Sequence, residues 1–179
     1  ILGKVLPALP PDPERRVFFD LADPAMRTDH DLRGALARLG RFAEHGRSVL
    51  GMNFNEAQQV ARVLGIETPS AESASLCTAL AAIRETLGLH LAMAHPVDRA
   101  ACATKDGTWS VTGPYTPAPV ITTGAGDHLN AGFCLGLLLD FDPEDALKLG
   151  VLFSGYYVRH AQAPSLDRLP AFISELPSS

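Results

Sequence analysis

The stretch ITTGAGDHLNAGF, residues 121–133, places two glycines and a carboxylate between a β-branched lead-in and a helix-like apolar pattern. A glycine turn at the start of a helix exposes backbone N–H groups, and the helix dipole adds positive potential there, so such a turn can bind an anion. Gly124 and Gly126 let the backbone approach a ligand closely. Asp127 stands at the head of the helix, where an acidic residue can also serve only as a cap.

The size and charge of the chain narrow the class of protein. Its 179 residues are enough for one domain with a sizeable core, and 46% hydrophobic with 20% charged residues is typical of a globular protein. The net charge of -5, without a Lys/Arg cluster, argues against nucleic-acid binding. No apolar run in the sequence is long enough to span a membrane. We therefore predict a single domain over residues 1–179 with no nucleic-acid or membrane partner.

The cysteines indicate a reducing compartment. Cys77, Cys102 and Cys134 are an odd number, lie in apolar surroundings and lack CxxC spacing. This pattern predicts buried free thiols. It does not supply the ligand cluster that a zinc site needs.

The order of strand and helix patterns predicts an α/β fold, a sandwich of helices around a largely parallel sheet. Thr28 or Asp29 and Asp142 are candidate N-caps, and Gly65 is a candidate C-cap. A Pro-rich loop is expected over residues 6–16, after an opening that resembles part of an amphipathic helix. The predicted strands cover 17–23, 48–53, 90–95, a hairpin over 99–112 with its turn at 105–107, and 120–123; the predicted helices cover about 32–42, 55–66, 71–87, 127–139, a stretch within 141–160, and 166–176.

Two other phosphate-binding patterns are absent from the sequence. There is no GxxxxGK[ST] loop, and no GxGxxG is followed by an acidic residue at the right distance. A dinucleotide-dependent oxidoreductase shares the α/β layout but lacks this fingerprint. Binding of NAD in place of ATP would revive that alternative.

The stretch TTGAGDHLNAGF resembles the C-terminal signature of the ribokinase-like (pfkB) carbohydrate kinases, whose usual form is close to DTTGAGDxFxxGF. The chain matches it at residues 122–127 and at Gly132 and Phe133. The family also carries NxxE at the start of a helix that follows a strand, which residues 53–56 match, and residues 20–27 (DLADPAMR) resemble the strand end before it. The resemblance covers essentially the whole chain and implies a three-layer α/β/α sandwich of the ribokinase-like type.

The resemblance assigns roles to the residues of the glycine turn. Asp127 would be the general base that takes the proton from the substrate hydroxyl attacking the γ-phosphate of ATP. The backbone N–H groups of Gly124, Ala125 and Gly126 would form an anion hole for the transferring phosphoryl group, with Thr123 beside them. Phosphoryl transfer depends mainly on positioning and charge stabilisation, which suits this arrangement.

The resemblance also implies a metal and a nucleotide contact. Asn53 and Glu56 are similar to the pair that organises Mg²⁺ mainly through water, which suits an ion that keeps much of its hydration shell. The alternative for Glu56 is a solvated helix residue near a favourable dipole. Asn130 and His95 are candidate nucleotide contacts, and the alternative for His95 is a turn histidine before a proline.

The sequence departs from the family pattern at several positions. Ile121 replaces an Asp in a region that helps hold a monovalent cation in many members, which argues against potassium activation. The TxGxxG turn of the family aligns with residues 95–100, HPVDRA, where none of its marked positions is kept. His128 is expected to face solvent, with an effect on the neighbouring Asp127 as the alternative, and Leu129 stands where Phe is frequent. These departures motivate the alternative of a non-catalytic nucleotide- or sugar-binding relative with a regulatory role.

The length of the chain matches only part of such a kinase. Full family members are roughly twice this length as single domains, so the chain resembles the C-terminal half, without the lid and most sugar contacts. The resemblance implies an ATP-dependent phosphotransferase that acts on a sugar or nucleoside-like alcohol. The expected use of ATP, the free thiols and the lack of a recognisable targeting segment predict a cytoplasmic location. The resemblance further implies a homodimer for the full-length protein.

Overall fold

The computed structural model describes residues 3–10, 12–21 and 27–176. The chain divides into two compact units. Unit 1 consists of Ile1–Ala94 and Ala101–Thr108, and unit 2 consists of His95–Ala100 and Trp109–Ser179. The single domain expected over residues 1–179 stays a prediction.

The described residues form one sheet of five strands in the order β1-β2-β3-β4-β5. Strand β1 runs parallel to β2, and β3 runs antiparallel to β4. No helix in the described part of the chain is long and apolar enough to cross a bilayer. The strands are β1 (Arg16–Asp20), β2 (Arg47–Asn53), β3 (Leu91–His95), β4 (Arg99–Ala103) and β5 (Thr108–Thr112); the helices are α1 (Asp29–Gly40), α2 (Phe54–Leu64), α3 (Ser73–Leu87), α4 (Ala125–Leu138), α5 (Pro143–His160) and α6 (Leu169–Glu175), with short 3₁₀ turns at Leu6–Ala8 and Arg41–His45.

Capping residues set the helix boundaries. The side chains of Thr28 and Asp142 each accept a hydrogen bond from the backbone N–H three residues later, at the starts of α1 and α5. Gly65 and Gly88 adopt φ values of 73° and 64° and end α2 and α3, as left-handed C-terminal glycines do. The predicted caps at Thr28, Asp142 and Gly65 are confirmed.

The core of unit 1 lies between β2 and the helices α1 to α3. Residues 48–52 of β2 are all buried, the pattern of a strand that is covered on both faces. Burying one large aliphatic side chain stabilises the fold by roughly 1.5–3 kcal/mol. The helices contribute Leu32, Leu36, Val60, Ala61, Leu80 and Ile83 to this core.

In unit 2, helices α4 and α5 pack closely because glycines line their contact. A Cβ placed on Gly132 would lie 2.8 Å from the carbonyl oxygen of Leu149, and one on Gly136 would lie 2.8 Å from the Cα of Ala146. A Cβ on Gly150 of α5 would lie 3.0 Å from a backbone carbonyl oxygen of α4. Gly132 of the signature therefore serves helix packing.

The strand predicted at residues 120–123 is not formed, and this prediction is wrong. The N–H groups of Val120 and Ile121 both donate to the carbonyl oxygen of Val158, at 2.8 and 3.3 Å. This carbonyl belongs to the last turn of α5, where it has no partner within the helix. The segment donates to the open carbonyl at the end of α5 instead of pairing with a strand. Helix α4 also begins at Ala125, two residues before the predicted start.

The other predicted elements are present with small shifts of their ends. The hairpin consists of β4 and β5, and the Thr104 N–H donates to the Gly107 carbonyl at 2.9 Å in its turn. The predicted loop at 6–16 contains a 3₁₀ turn at Leu6–Ala8. Residues 22–26, which hold the end of the first predicted strand and most of the DLADPAMR stretch, lie outside the described residues.

The three cysteines are free thiols, as predicted, but only Cys102 is fully buried. Cys77 and Cys134 are half-buried, so the prediction of burial is wrong for these two. Burial raises the pKa of Cys102 to about 12 and that of Cys134 to about 11. Burial also raises the pKa of Cys77. The thiols are therefore protonated near neutral pH.

We expect Gly132→Ala to lower the free energy of unfolding by about 1–3 kcal/mol, because its Cβ has no room against α5. Gly34→Ala in α1 is the matched control, since its Cβ would meet only the Arg38 guanidinium, at 3.4 Å. Alanine favours a helix over glycine by about 0.5–1 kcal/mol, so Gly34→Ala should stabilise. Urea unfolding measures the free energy of unfolding of both variants, and equal stability of the two would contradict the packing argument.

We expect alkylation of Cys102 by iodoacetamide to be slow in the folded protein. The difference between an ordinary thiol pKa of 9.0 and about 12 reduces the thiolate fraction about 1,000-fold at pH 8. Mass spectrometry of each cysteine peptide, with and without urea, measures the rates. Labelling of Cys102 at the same rate in both conditions would contradict its burial.

Candidate functional site

The glycine turn lies in unit 2 at the N-terminus of α4. Gly124 is the N-cap residue and has a left-handed backbone with φ 88° and ψ 0°, which glycine adopts without strain. The N–H of Ala125 donates to the carbonyl oxygen of Thr122 at 3.1 Å and closes the turn. The N–H groups of Gly124 and Gly126 make no hydrogen bond to any residue that the structure describes. The turn therefore leaves the N–H groups of Gly124 and Gly126 open, while that of Ala125 is engaged within the turn, and the anion hole stays a prediction.

Asp127 is the third residue of α4, and its side chain is exposed. Among the residues that the structure describes, no side chain forms a capping hydrogen bond at the start of this helix. The interpretation of Asp127 as a plain helix cap thus has no hydrogen bond to support it. The carboxylate stands in the first turn, where the helix dipole favours negative charge, beside the open N–H groups.

His95 is placed against the glycine turn. It is the last residue of β3 and belongs to unit 2 together with the turn. A Cβ on Gly126 would lie 3.2 Å from Cε1 and 3.4 Å from Nε2 of the His95 imidazole. Glycine at position 126 therefore leaves room for this ring. The carboxyl ends of strands in α/β sheets are the usual place for ligand sites, and the nucleotide contact of His95 stays a prediction.

Two aromatic side chains, those of Tyr157 and His128, contact the glycine turn. Tyr157 of α5 donates its hydroxyl to the carbonyl oxygen of Thr123 at 3.0 Å. Its ring stacks on the His128 imidazole, with centroids 3.7 Å apart and planes at 12°. His128 Nδ1 lies 2.8 Å from the carbonyl oxygen of Gly124. The prediction that His128 faces solvent is wrong, because the half-buried ring is held between these two partners.

Sequence reasoning did not assign Tyr157 to the site. The stretch GYYVRH carries no motif, and Tyr157 lies 34 positions from Thr123. The position of His128 four residues after Gly124 was a usable signal, because a helical side chain can reach the carbonyl one turn earlier. Only the packing of α5 shows which ring covers the turn.

The remaining residues predicted around the turn differ in accessibility. Asn130 is 8% exposed, so little of its side chain is open to a nucleotide, and its role stays a prediction. Leu129 is buried and belongs to the packing of α4. The side chain of Thr123 is exposed beside Gly124.

Asn53 and Glu56 lie in unit 1 and form a capping box at the start of α2. The Glu56 N–H donates to Asn53 Oδ1 at 2.9 Å, and the Asn53 N–H donates to Glu56 Oε2 at 2.8 Å. Glu56 is only 4% exposed, so the expectation of a solvated helix residue is wrong. Its carboxylate is held in a fixed orientation by the cap.

A fully protein-made metal cage is absent from the described residues, because no three His, Cys, Asp or Glu side chains cluster there. Magnesium does not need such a cage, since it keeps several waters and binds through one or two carboxylates. The oriented oxygens of Glu56 are ligands of the hard type that this ion prefers, so the donor chemistry fits magnesium.

Comparison with solved structures defines the class of fold. Adenosine kinase from Sinorhizobium meliloti superposes with a TM-score of 0.66 at 22% identity, over 89% of this chain and 45% of that one. An E. coli protein solved in complex with ATP and Mg²⁺ gives a TM-score of 0.65 at 20% identity, over 87% of this chain and 47% of that one. The protein therefore has the ribokinase-like α/β fold that its signature predicts.

The family model assigns the chain to a narrower group than the fold does. The model of the prokaryotic ketohexokinase family matches residues 2–176, and the chain belongs to that family. The ketohexokinase of Haloferax volcanii is 29% identical over 163 residues, which cover 91% of this chain and 42% of that protein. The chain thus spans about half the length of the kinases that it matches.

Proposed function

We propose that the protein containing this chain phosphorylates a hydroxyl of a ketohexose with ATP. The observation that carries this proposal is the exposed carboxylate of Asp127 beside the open N–H groups of Gly124 and Gly126. The family and the Haloferax ketohexokinase relative support the sugar class. The ATP and Mg²⁺ in the E. coli neighbour support the phosphoryl donor.

Asp127 acts as the general base in this proposal. Its carboxylate accepts the proton of the acceptor hydroxyl while the hydroxyl oxygen bonds to the γ-phosphorus and the bond to the β–γ bridging oxygen breaks. The products are ADP and a sugar phosphate. A positioned base of this kind contributes about 10²- to 10⁴-fold to a rate.

The backbone of the turn stabilises the transferring group. The N–H groups of Gly124 and Gly126, at the positive end of α4, donate to the phosphoryl oxygens on which charge develops. His95, whose ring lies beside Gly126, donates to the same group in this proposal. Thr123, which is exposed, precedes Gly124 in the turn.

Glu56 is the residue proposed to serve magnesium. The ion, when bound with ATP, neutralises phosphate charge during transfer. Asn53 fixes the Glu56 carboxylate through the capping box, so that its oxygens can hold the waters of the ion. A cytoplasmic location and a homodimer of the longer protein stay predictions.

The test is ADP formation by the longest natural protein that contains this chain, with ATP, Mg²⁺ and D-fructose. D-Glucose and adenosine serve as comparison acceptors. ADP formation that depends on fructose supports the ketohexokinase activity. ATP binding without turnover on any acceptor would favour the non-catalytic regulatory alternative, and absence of ATP binding would overturn the nucleotide assignment.

We expect Asp127→Asn to lower kcat by about 10²- to 10⁴-fold, because the amide cannot accept the proton. Asp145→Asn is the matched control, since Asp145 is the third residue of the neighbouring helix α5 and is likewise exposed. The control should keep its activity. Steady-state ADP assays compare the two, and an equal loss in both variants would contradict a specific role for Asp127.

We expect Glu56→Gln to raise the Mg²⁺ concentration for half-maximal activity by about 10- to 100-fold. Glutamine still completes a capping box, so the free energy of unfolding should change by less than about 1 kcal/mol. Glu144→Gln in the first turn of α5 is the control for charge alone. Magnesium titration together with urea unfolding separates the metal-binding role of Glu56 from its capping role. An unchanged magnesium requirement would show that Glu56 serves only the helix cap.

A further inference from the structure

We propose that His128 and Tyr157 are positioning residues that hold the glycine turn in its donor geometry. They are called the aromatic brace below. Neither contacts the reacting atoms in this scheme, and each acts through a backbone carbonyl of the turn. The inference rests on the proposed function, because the donors that the brace holds are those assigned to the phosphoryl group.

The first arm of the brace acts on the peptide group between Thr123 and Gly124. The Thr123 carbonyl and the Gly124 N–H belong to one planar trans peptide, so they point in opposite directions. The Tyr157 hydroxyl donates to that carbonyl at 3.0 Å. Fixing the carbonyl toward α5 therefore fixes the Gly124 N–H on the other side, where it is open.

The second arm acts on the peptide group between Gly124 and Ala125. Its carbonyl accepts from Nδ1 of His128 at 2.8 Å and from the backbone N–H of His128 at 3.1 Å. Its N–H donates to the Thr122 carbonyl at 3.1 Å. This peptide group is thus held at both ends, which sets the direction in which α4 begins and the Gly126 N–H points.

The two arms support each other. The rings of His128 and Tyr157 come from different helices and lie almost parallel, with centroids 3.7 Å apart. A Cβ on Gly124 would lie only 3.2 Å from the Tyr157 hydroxyl oxygen, so the tyrosine packs directly against the glycine. Glycine leaves a backbone free to adopt many conformations. The brace removes that freedom before any ligand arrives, and such preorganised donors stabilise developing charge best.

The hydrogen bond to Gly124 also fixes the tautomer of His128. A carbonyl oxygen can only accept, so Nδ1 must carry a proton. Nδ1–H is the donor in both the neutral Nδ1–H form and the imidazolium form. Nitrogen-15 NMR of the histidine ring is expected to show a protonated Nδ1, and a neutral Nε2–H tautomer would contradict the second arm.

Helix α5 provides a matched control away from the turn. His160 Nδ1 lies 2.8 Å from the carbonyl oxygen of Tyr156 four residues earlier, and the two rings stack with centroids 4.2 Å apart. This pair repeats the hydrogen bond and the stacking of His128 without any glycine turn. A purely structural contribution of such a histidine should therefore appear equally at both positions.

The experiment compares four variants in the longest natural protein that contains this chain. Tyr157→Phe and His128→Phe keep a ring but remove one hydrogen bond each, and we expect each to lower kcat by about 10- to 100-fold, the scale of a small misplacement. The KM for D-fructose should change little. His128→Asn retains a donor near the position of Nδ1 and should recover part of the loss, while His160→Phe should behave as the wild type.

The outcomes separate the brace from the proposed function. An active wild type in which His128→Phe matches His160→Phe would overturn the brace and leave the kinase proposal intact. If the wild type transfers no phosphoryl group, the kinase proposal fails, and amide NMR then decides the brace. Gly124 and Gly126 amide signals that shift and exchange faster in His128→Phe, but not in His160→Phe, support the brace; unchanged signals overturn it.

Discussion

The unpaired backbone N–H groups at the start of α4 are the constraint on which the candidate site depends. The first N–H groups of any helix lack partners within the helix, and a side chain, water or ligand must satisfy them. Thr28, Asn53 and Asp142 do this for α1, α2 and α5. Helix α4 instead begins after a left-handed glycine without a capping side chain. Helix α3 also lacks such a cap, but no glycine turn precedes it. What sets α4 apart is the combination of open donors with an exposed carboxylate in the same turn.

Close helix packing makes this geometry possible. Gly132, Gly136 and Gly150 remove side chains from the contact between α4 and α5, so the two backbones approach more closely than larger residues would allow. That approach brings Tyr157 of α5 within hydrogen-bonding distance of Thr123. Gly132 of the signature thus acts on the turn through the position of a neighbouring helix. The close approach of α4 and α5 thus determines both the packing of the two helices and the geometry of the N–H donors.

Local chemistry explains which features the sequence could predict. Caps such as Thr28 and Gly65 depend on residues next to one another in the chain, and Asp127 lies within a long specific signature. The prediction of a strand at 120–123 was wrong because β-branched composition does not reveal that the Val158 carbonyl, at the end of a helix, can accept from this segment. The prediction that His128 faces solvent was wrong for the same reason, since the ring that covers it comes from α5. Contacts between distant segments decide the strand and the ring that covers His128, whereas the hydrogen bond from His128 to Gly124 is local and its spacing was a usable signal.

The motif at the start of α2 shows how far a pattern can be interpreted. The capping box accounts for Asn53 and Glu56 without any ligand, because each satisfies a backbone N–H of the other. That structural role needs only an acceptor oxygen, which glutamine supplies equally well. A carboxylate that is 4% exposed carries in addition a charge that is costly to remove from water. The hydrogen bond and the helix dipole offset part of this cost. The cap itself does not require the negative charge of Glu56, and the proposed magnesium role rests on that charge.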